Sequence, residues 1–249
     1  MITDQVKKIL HQLQLFGIHQ AFEHRCAYAV AEGQHPTELL RLLLEDELLA
    51  RKERRAKILV TRAKFRYTAE LEDWDTSFDR GINKAKLKEL AQLSFYHRQE
   101  SLLILGKTGE GKTHLGIALG RRACNDGLQV AFMPMNFLFE EATAQRAAGK
   151  YPAFVRRLTQ SRILVLDDFG LRSYSHAEAT VLVDILEDRY RKGSVIVTSQ
   201  VDPKGWGKLF EDAVIAEAIV DRLTKPAQTL VLRGGSYRDK LKPFEAKES

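Results

Sequence analysis

The sequence predicts an α/β fold, with a five-stranded parallel sheet covered by helices on both faces and preceded by a small all-helical domain. Two patterns support this prediction. From residue 101 onward, short apolar segments alternate with longer segments that suit helical crossovers between parallel strands. In the first third of the chain, apolar residues recur only at helical spacing. We therefore expect a helical domain at residues 1–70 and an α/β domain at residues 71–249.

The helical domain is expected to begin with a helix around Val6 that is interrupted at Gly17. A second helical stretch covers residues 20–32. Thr37 can cap a third, longer helix, because its hydroxyl can accept a bond from a backbone N–H of the first turn. Residues 71–77 are acidic and aromatic without periodicity, and this stretch marks the predicted domain boundary.

The strands of the α/β domain are predicted from five short apolar segments. Strands that are buried on both faces of a parallel sheet are nearly continuous in apolar residues. The five segments are Ser101–Leu105, Gln129–Met133, Ile163–Leu166, Ser194–Thr198 and Thr229–Leu232.

The composition is that of a soluble globular protein, with 44% hydrophobic and 29% charged residues. The net charge of +6 mildly favours an anionic partner such as nucleic acid. Cys26 and Cys124 are the only cysteines, which excludes a disulfide framework and favours a reducing compartment. No apolar run approaches the ~20 residues that span a bilayer, so a cytoplasmic protein without membrane contact is expected.

A phosphate-binding loop is predicted directly after the first strand. The motif G-x-x-x-x-G-K-[ST] is matched in full, and His114 opens a helical segment after it. Glycines let the backbone amides turn toward phosphate oxygens, and the helix dipole favours the same anion. Lys112 is expected to bridge the β- and γ-phosphates, and the Thr113 hydroxyl to ligate Mg²⁺. The expected cofactor-binding residues are Gly106, Lys107, Thr108, Gly109, Glu110, Gly111, Lys112, Thr113 and His114.

Two carboxylates follow the third apolar strand at Asp167 and Asp168. Charges at the end of a buried strand are costly unless a cation or hydrogen bonds compensate them. Asp167 is therefore expected to orient Mg²⁺, and Asp168 to polarise the attacking water. The alternative is that both residues cap a turn, a position that Asp favours.

Five short motifs occur in an order that resembles the IstB-like transposition helper ATPases. These ATPases are relatives of the DnaC and DnaI helicase loaders within the AAA+ superfamily. The motifs are Phe78-Asp79, the phosphate-binding loop followed by His114, Leu166-Asp167-Asp168-Phe169-Gly170, Val197-Thr198-Ser199-Gln200 and Val220-Asp221-Arg222-Leu223. The resemblance implies an AAA+ ATPase domain without a C-terminal lid, in a bacterial protein.

The resemblance also implies two further catalytic roles. A polar residue at the end of the fourth strand senses the γ-phosphate in AAA+ proteins; Thr198 is a candidate, with Ser199 and Gln200 favoured. Arg222 corresponds to an arginine finger that reaches the nucleotide of a neighbouring subunit. The alternative for Arg222 is a surface salt bridge with a nearby acid such as Asp221.

Two departures from the wider superfamily shape these expectations. Asp168 stands where Glu is usual, so hydrolysis is expected to be slow or stimulated by oligomerisation, DNA or a transposase. Without a lid, adenine contacts are expected from residues 77–83. A guanine-reading N-K-x-D motif is absent from the sequence, which favours ATP.

Two basic segments are candidates for binding double-stranded DNA without sequence preference. The alternative is that their charges are merely solvated. The N-terminal candidates are Arg51, Lys52, Arg54, Arg55, Lys57, Arg62 and Lys64, within a stretch that continues to Arg66. The later candidates, between the second and third strands, are Arg146, Lys150, Arg156 and Arg157.

The leading hypothesis is an ATP-dependent helper of an insertion-sequence transposon, which oligomerises on target DNA as a ring or spiral and recruits its cognate transposase. The first alternative is a replicative helicase loader, whose ATPase core would look nearly the same. A metabolic kinase is a second alternative, although the sequence offers no lid segment rich in arginine.

Overall fold

The computed structural model describes residues 2–190, 192–225 and 227–237. The chain divides into two compact units between Ile58 and Leu59.

The first unit consists of helices. They are α1 (Ile2–Gln12), α2 (Phe16–Ala31) and α3 (Pro36–Ala63), which continues past the division into the second unit. The predicted interruption at Gly17 is wrong, because this residue lies in the first turn of α2. There the N–H of Gly17 donates to the buried Glu47 carboxylate of α3 at 2.7 Å, and a Cβ on Gly17 would lie 2.6 Å from Glu47 Cα. The glycine thus permits close helix packing, and an acid satisfies the start of α2.

The second unit contains the predicted parallel sheet. Its strands are β1 (Ser101–Leu105), β2 (Val130–Pro134), β3 (Ile163–Phe169), β4 (Ser194–Ser199) and β5 (Ala227–Val231). Their order across the sheet is β2-β3-β4-β1-β5, and all neighbours are parallel. Strand β3 is longer than predicted, so both acids lie inside the strand, where Asp167 pairs with Pro134 of β2.

Helices cover both faces of the sheet, as predicted. Alternate strand residues serve opposite faces, so that Leu103 and Leu105 belong to one apolar cluster while Leu102 and Ile104 belong to the other. The helices of this unit are α4 (Lys84–Ala91), α5 (Ser94–His97), α6 (Lys112–Asn125), α7 (Met135–Ala147), α8 (Tyr151–Thr159), α9 (His176–Arg189), a 3₁₀ helix (Pro203–Leu209) and α10 (Ala213–Thr224).

The division between the units precedes the predicted boundary at residues 70 and 71. Leu59 and Ala63, at the end of α3, are buried in the cluster that covers the α6 face of the sheet. The predicted boundary stretch belongs to the same core, since Leu71 and Trp74 are buried there. The apolar residues near the end of α3 therefore pack with the sheet domain.

A buried arginine joins three elements at the end of the sheet where the strands begin. The Arg189 guanidinium donates to the carbonyls of Leu158 and Ser161 at 2.7 and 2.8 Å, and to that of Ser194 at 2.8 Å. Burial lowers the pKa of Arg189 to about 10. These carbonyls, rather than an acid, hold the charge in place.

Strand β5 is the last strand, and no helical lid follows it among the described residues, which end at Tyr237. Within the same residues, no helix is both long enough and apolar enough to span a bilayer.

Candidate nucleotide-binding site

The phosphate-binding loop connects the carboxyl end of β1 to the start of α6. Gly109 and Gly111 have φ of 88° and 95°, a left-handed conformation that residues with a Cβ rarely adopt. A Cβ on Gly111 would also lie 2.9 Å from an Arg80 nitrogen. The loop therefore needs its glycines, and it presents the N-terminus of α6 to a cavity of about 310 Å³.

The charged residues of this loop have different roles. Lys112 lines the cavity, and its Nζ donates to the Lys107 carbonyl at 2.8 Å. Glu110 is buried, and its Oε2 accepts the Lys107 N–H at 2.6 Å. The Glu110 side chain thus braces the loop instead of facing the cavity. Of the predicted cofactor-binding residues, the cavity is lined by Thr108, Gly109, Gly111, Lys112, Thr113 and His114, and not by Gly106, Lys107 or Glu110.

The structure brings the two acids of β3 to this loop. Asp167 is fully buried, and its Oδ1 accepts hydrogen bonds from the hydroxyls of Thr113 at 2.9 Å and Thr198 at 2.7 Å. Its Oδ2 has no hydrogen-bond partner among the residues that the structure describes. Burial, the largest cause, raises the pKa of Asp167, and the neighbouring Asp168 raises it further.

Asp168 occupies a strained position beside the cavity. Its φ is 62°, and the register of β3 against β4 shifts between Leu166 and Phe169. The Asp168 N–H donates to the Thr198 hydroxyl at 2.9 Å. Left-handed backbone at a residue other than glycine is typical of functional sites. The Asp168 side chain lines the cavity.

The three sensor candidates of β4 occupy different environments. Thr198 is buried and orients Asp167 through the hydrogen bond described above. The Ser199 hydroxyl donates to the Phe169 carbonyl at 2.7 Å and accepts the Val201 N–H at 3.0 Å, so it is engaged by backbone away from the cavity. Gln200 lines the cavity, and its Oε1 accepts the Thr108 hydroxyl at 2.8 Å. Of these two candidates, only Gln200 lines the cavity.

Sequence reasoning missed several residues of the cavity wall. Arg80 is buried between aromatic rings, with its guanidinium carbon 3.5 Å from the centre of the Trp74 ring and 4.5 Å from that of Tyr237. Burial lowers the pKa of Arg80. In the sequence, Arg80 was indicated only by the expectation that residues 77–83 contact adenine. The other missed residues are Arg66, Tyr67, Asp73 and Tyr237.

His114 lies at the same wall, in the first turn of α6. Its ring centre is 6.4 Å from that of Tyr67 and 6.1 Å from that of Trp74. Its Nε2 is buried and, within the described part of the chain, has no hydrogen-bond partner. Burial lowers the pKa of His114, which favours the neutral ring at physiological pH.

Arg222 lies at the opposite end of the sheet. It lines a second cavity, of about 410 Å³, together with Ser101, the first residue of β1. Its guanidinium donates to the Ala218 carbonyl at 3.0 Å and lies 3.4 Å from Glu187. The nearby Asp221 pairs instead with Lys225. Because the phosphate-binding loop follows the carboxyl ends of the strands, Arg222 is remote from the nucleotide site of its own chain.

The N-terminal DNA-binding candidates are all exposed. In the first unit, Arg51 forms an ion pair with Glu47 at 2.7 Å, and the Arg54 guanidinium carbon lies 4.8 Å from the centre of the Phe16 ring. The other exposed candidates in that unit are Lys52, Arg55 and Lys57, and those in the second unit are Arg62 and Lys64.

The later DNA-binding candidates are partly committed to other contacts. Arg157 pairs with Glu141 at 2.9 Å, and Arg146 lies 4.0 Å from Asp184 and stacks on the Tyr151 ring at 4.3 Å. Lys150 and Arg156 are exposed on the same segment.

The residues around Asp167 fit a divalent cation with oxygen ligands. The buried Oδ2 that lacks a hydrogen bond and the Thr113 hydroxyl are the donor types that Mg²⁺ prefers. Lys112 and the backbone amides at the start of α6 fit the phosphates that such a cation accompanies.

The protein resembles known insertion-sequence proteins along nearly its whole length. Residues 8–244 match the family model described as IstB-like ATP binding protein. A Pseudomonas aeruginosa protein, named as the putative ATP-binding protein of insertion sequence IS21, is 33% identical over 96% of this chain and 90% of its own. An insertion-sequence ATP-binding protein of Sinorhizobium fredii is 34% identical over 92% of this chain and 94% of its own.

Solved structures share the fold at lower identity. DnaI has a TM-score of 0.57 at 19% identity, over 71% of this chain and 94% of its own. The DnaC helicase loader has a TM-score of 0.53 at 22% identity, over 69% of this chain and 100% of its own. AMPPCP-bound DnaA from Aquifex aeolicus has a TM-score of 0.56 at 19% identity, over 75% of this chain and 58% of its own. With the phosphate-binding loop and Asp167 side by side in an AAA+ fold, the chain belongs to the IstB-like ATP-binding family and is an ATPase.

Proposed function

We propose that this protein is the ATP- and Mg²⁺-dependent DNA-binding helper of an insertion-sequence transposon in the bacterial cytoplasm. It oligomerises on target DNA and recruits or activates its transposase. The observation that carries the proposal is the junction of the phosphate-binding loop with Asp167, in a chain whose relatives are named for insertion sequences. ATP binding then provides the switch, and the basic surfaces provide the contact with DNA.

In the proposed hydrolysis reaction, Lys112 and the loop amides hold the β- and γ-phosphates. Asp168, at the cavity wall, accepts a hydrogen bond from the attacking water, whose oxygen bonds to the γ-phosphorus as the bond to the β-γ bridging oxygen breaks. Gln200 contacts the γ-phosphate or this water. Asp167 and Thr113 would hold Mg²⁺, which neutralises charge that develops on the phosphates.

Arg222 would complete the site of a neighbouring subunit. It lies beside the start of β1, whereas the phosphate-binding loop follows the end of β1, so a contact across an oligomer interface suits it better than one within its own chain. An arginine in such a position is worth about 10³–10⁵ in turnover in related phosphoryl-transfer systems. Hydrolysis would therefore be slow in the monomer and faster in the assembled protein, which ties turnover to oligomerisation on DNA.

DNA binding is proposed to use residues 1–70, with Lys150 and Arg156 as further contacts. The exposed cations of α3 can neutralise phosphates without reading bases, so binding should be insensitive to sequence and steeply dependent on salt.

The DNA-binding test measures fluorescence anisotropy of labelled duplex DNA across a salt series, with and without a non-hydrolysable ATP analogue. The variant Lys52→Ala/Arg55→Ala should reduce the slope of log affinity against log salt by about one for each DNA phosphate that it no longer neutralises. The matched control is Lys84→Ala/Lys88→Ala, which removes two exposed lysines of α4 and should behave as wild type. Equal slopes in wild type and both variants would contradict the assignment to α3.

A replicative helicase loader is the second candidate, because the DnaC and DnaI folds match over most of this chain. Co-purification separates the two functions. The helper should retain the transposase encoded beside it when ATP and DNA are present. Retention of the replicative helicase in its place would favour the loader.

A further inference from the structure

Arg66 lies between the two acids of the nucleotide site. One of its terminal guanidinium nitrogens is 3.5 Å from Asp167 Oδ2 and 3.5 Å from Asp168 Oδ2. The sequence pattern assigned Arg66 to the basic stretch that was expected to face DNA, yet the residue lines the nucleotide cavity. A single positive charge therefore contacts both carboxylates at the place where a divalent cation is expected.

The two acids need such a charge when no metal ion is bound. Asp167 is fully buried, and the hydroxyls of Thr113 and Thr198 satisfy only its Oδ1. Asp168 is next to it in the strand, so the two carboxylates repel each other. Arg66 offsets this repulsion from the side of the oxygen that lacks a hydrogen bond.

We propose that Arg66 is a positioning residue that holds Asp167 and Asp168 in place in the nucleotide-free protein and leaves them when Mg²⁺ arrives with the nucleotide. This inference rests on the proposed function, since it assigns Mg²⁺ to these acids. Arg66 contacts both carboxylates in advance, so the metal ion must compete with the guanidinium.

The surroundings of Arg66 allow this exchange. Its side chain is 37% exposed, whereas that of Asp167 is completely buried, so the arginine is the mobile partner of the pair. Arg66 also lines a neighbouring cavity of about 350 Å³, together with Leu171 and Tyr174. A displaced guanidinium can turn toward this cavity or toward solvent without rearrangement of β3.

The test measures how much Mg²⁺ the full-length protein needs to bind a fluorescent, non-hydrolysable ATP analogue, mant-AMPPNP. In Arg66→Gln, the half-maximal Mg²⁺ concentration should fall about fivefold, the size expected when one partly exposed ion pair is removed. Affinity for mant-AMPPNP in EDTA should stay within about twofold of wild type, because the proposal gives Arg66 no contact with phosphate.

Two further variants separate this role from a general reduction of positive charge. Arg66→Lys keeps a positive charge and should lie between wild type and Arg66→Gln. Arg62→Gln removes the same charge from an exposed position outside the cavity and should match wild type. As a readout without nucleotide, Mg²⁺ alone should raise the Tm of Arg66→Gln more than that of wild type.

An unchanged or higher Mg²⁺ requirement in Arg66→Gln would overturn the inference. So would a large drop in mant-AMPPNP affinity in EDTA, because Arg66 would then contact the phosphates directly. Failure of the proposed function would give a different result. In that case, neither Mg²⁺ nor the substitution Lys112→Ala would change mant-AMPPNP binding, whatever residue stands at position 66.

Discussion

Asp167 and Arg189 are both buried charged residues of the same sheet domain, but they lie at opposite ends of the sheet. Arg189 donates to three backbone carbonyls, in α8, in the turn after α8 and in β4, so its charge ties the fold together. Asp167 uses one oxygen for two hydroxyls and leaves the other beside Arg66, at the edge of a cavity. The partners of a buried charge therefore distinguish a structural role from a functional one, more clearly than burial itself does.

The largest expected effect is at the phosphate end of the sheet. Lys112→Ala should abolish nucleotide binding or turnover, because alanine cannot donate charge-assisted hydrogen bonds to the phosphates. Titration with a fluorescent ATP analogue and a phosphate-release assay would measure this, with circular dichroism as the control for folding. Wild-type hydrolysis in this variant would refute the site.

Arg222→Ala tests the proposed arginine finger, which lies at the same end of the sheet as Arg189. Nucleotide binding by the monomer should be unchanged, whereas hydrolysis by the assembled protein should fall about 10³-fold. Turnover is measured as a function of protein concentration with DNA present. A mixture of Arg222→Ala with Lys112→Ala should recover some activity, because each variant supplies the group that the other lacks. Unchanged turnover in the assembled variant would remove the role in trans.

Arg189→Met should affect stability and leave the chemistry intact. Three carbonyls lose their donor, and we expect the free energy of unfolding to fall by about 3 kcal/mol. Urea unfolding measures this decrease, and ATP affinity of the folded variant should stay at the wild-type value. The matched control is Arg162→Met, which replaces an exposed arginine and should change stability by less than about 0.5 kcal/mol. Similar decreases in both variants would contradict the structural role of Arg189.

The smallest effect is expected from Asp167→Asn in the nucleotide-free protein. Burial raises the pKa of Asp167 above its ordinary value of 3.8, so the folded state binds the proton more tightly than the unfolded state. The ionised carboxylate therefore costs stability as pH rises from about 3.8 through the raised pKa, and the cost persists at higher pH. Asparagine removes this cost, so the variant should be more stable than wild type at pH 7.

This stability advantage should shrink as the pH of the urea titration is lowered toward the ordinary pKa of aspartate. The exposed Asp126→Asn variant serves as the control and should show little change. Wild-type stability of Asp167→Asn across the whole pH range would show that burial of the charge costs nothing. The variant should also lose the effect of Mg²⁺ on nucleotide binding, which separates stability from function at this end of the sheet.

The sequence predicted the features that are encoded within one segment. The phosphate-binding loop needs glycines between a strand and a helix, and Gly109 and Gly111 have the positive φ that this requires. The apolar segments predicted all five strands to within a few residues, because burial on both faces demands continuous apolar sequence. The two acids were recognisable because charges at the end of such a segment need compensation.

The tertiary structure decided which side chains from distant segments meet. Ser199 and Gln200 are adjacent in sequence, but only Gln200 lines the cavity, because successive residues at a strand end point in different directions. Arg66 resembles its basic neighbours in the sequence, and only the fold places it against Asp167 and Asp168. Composition and spacing determined which chemical groups this chain offers. Packing determined which of those side chains meet, because contacts between distant segments depend on strand register and on the face where each side chain lies, and no local pattern records either.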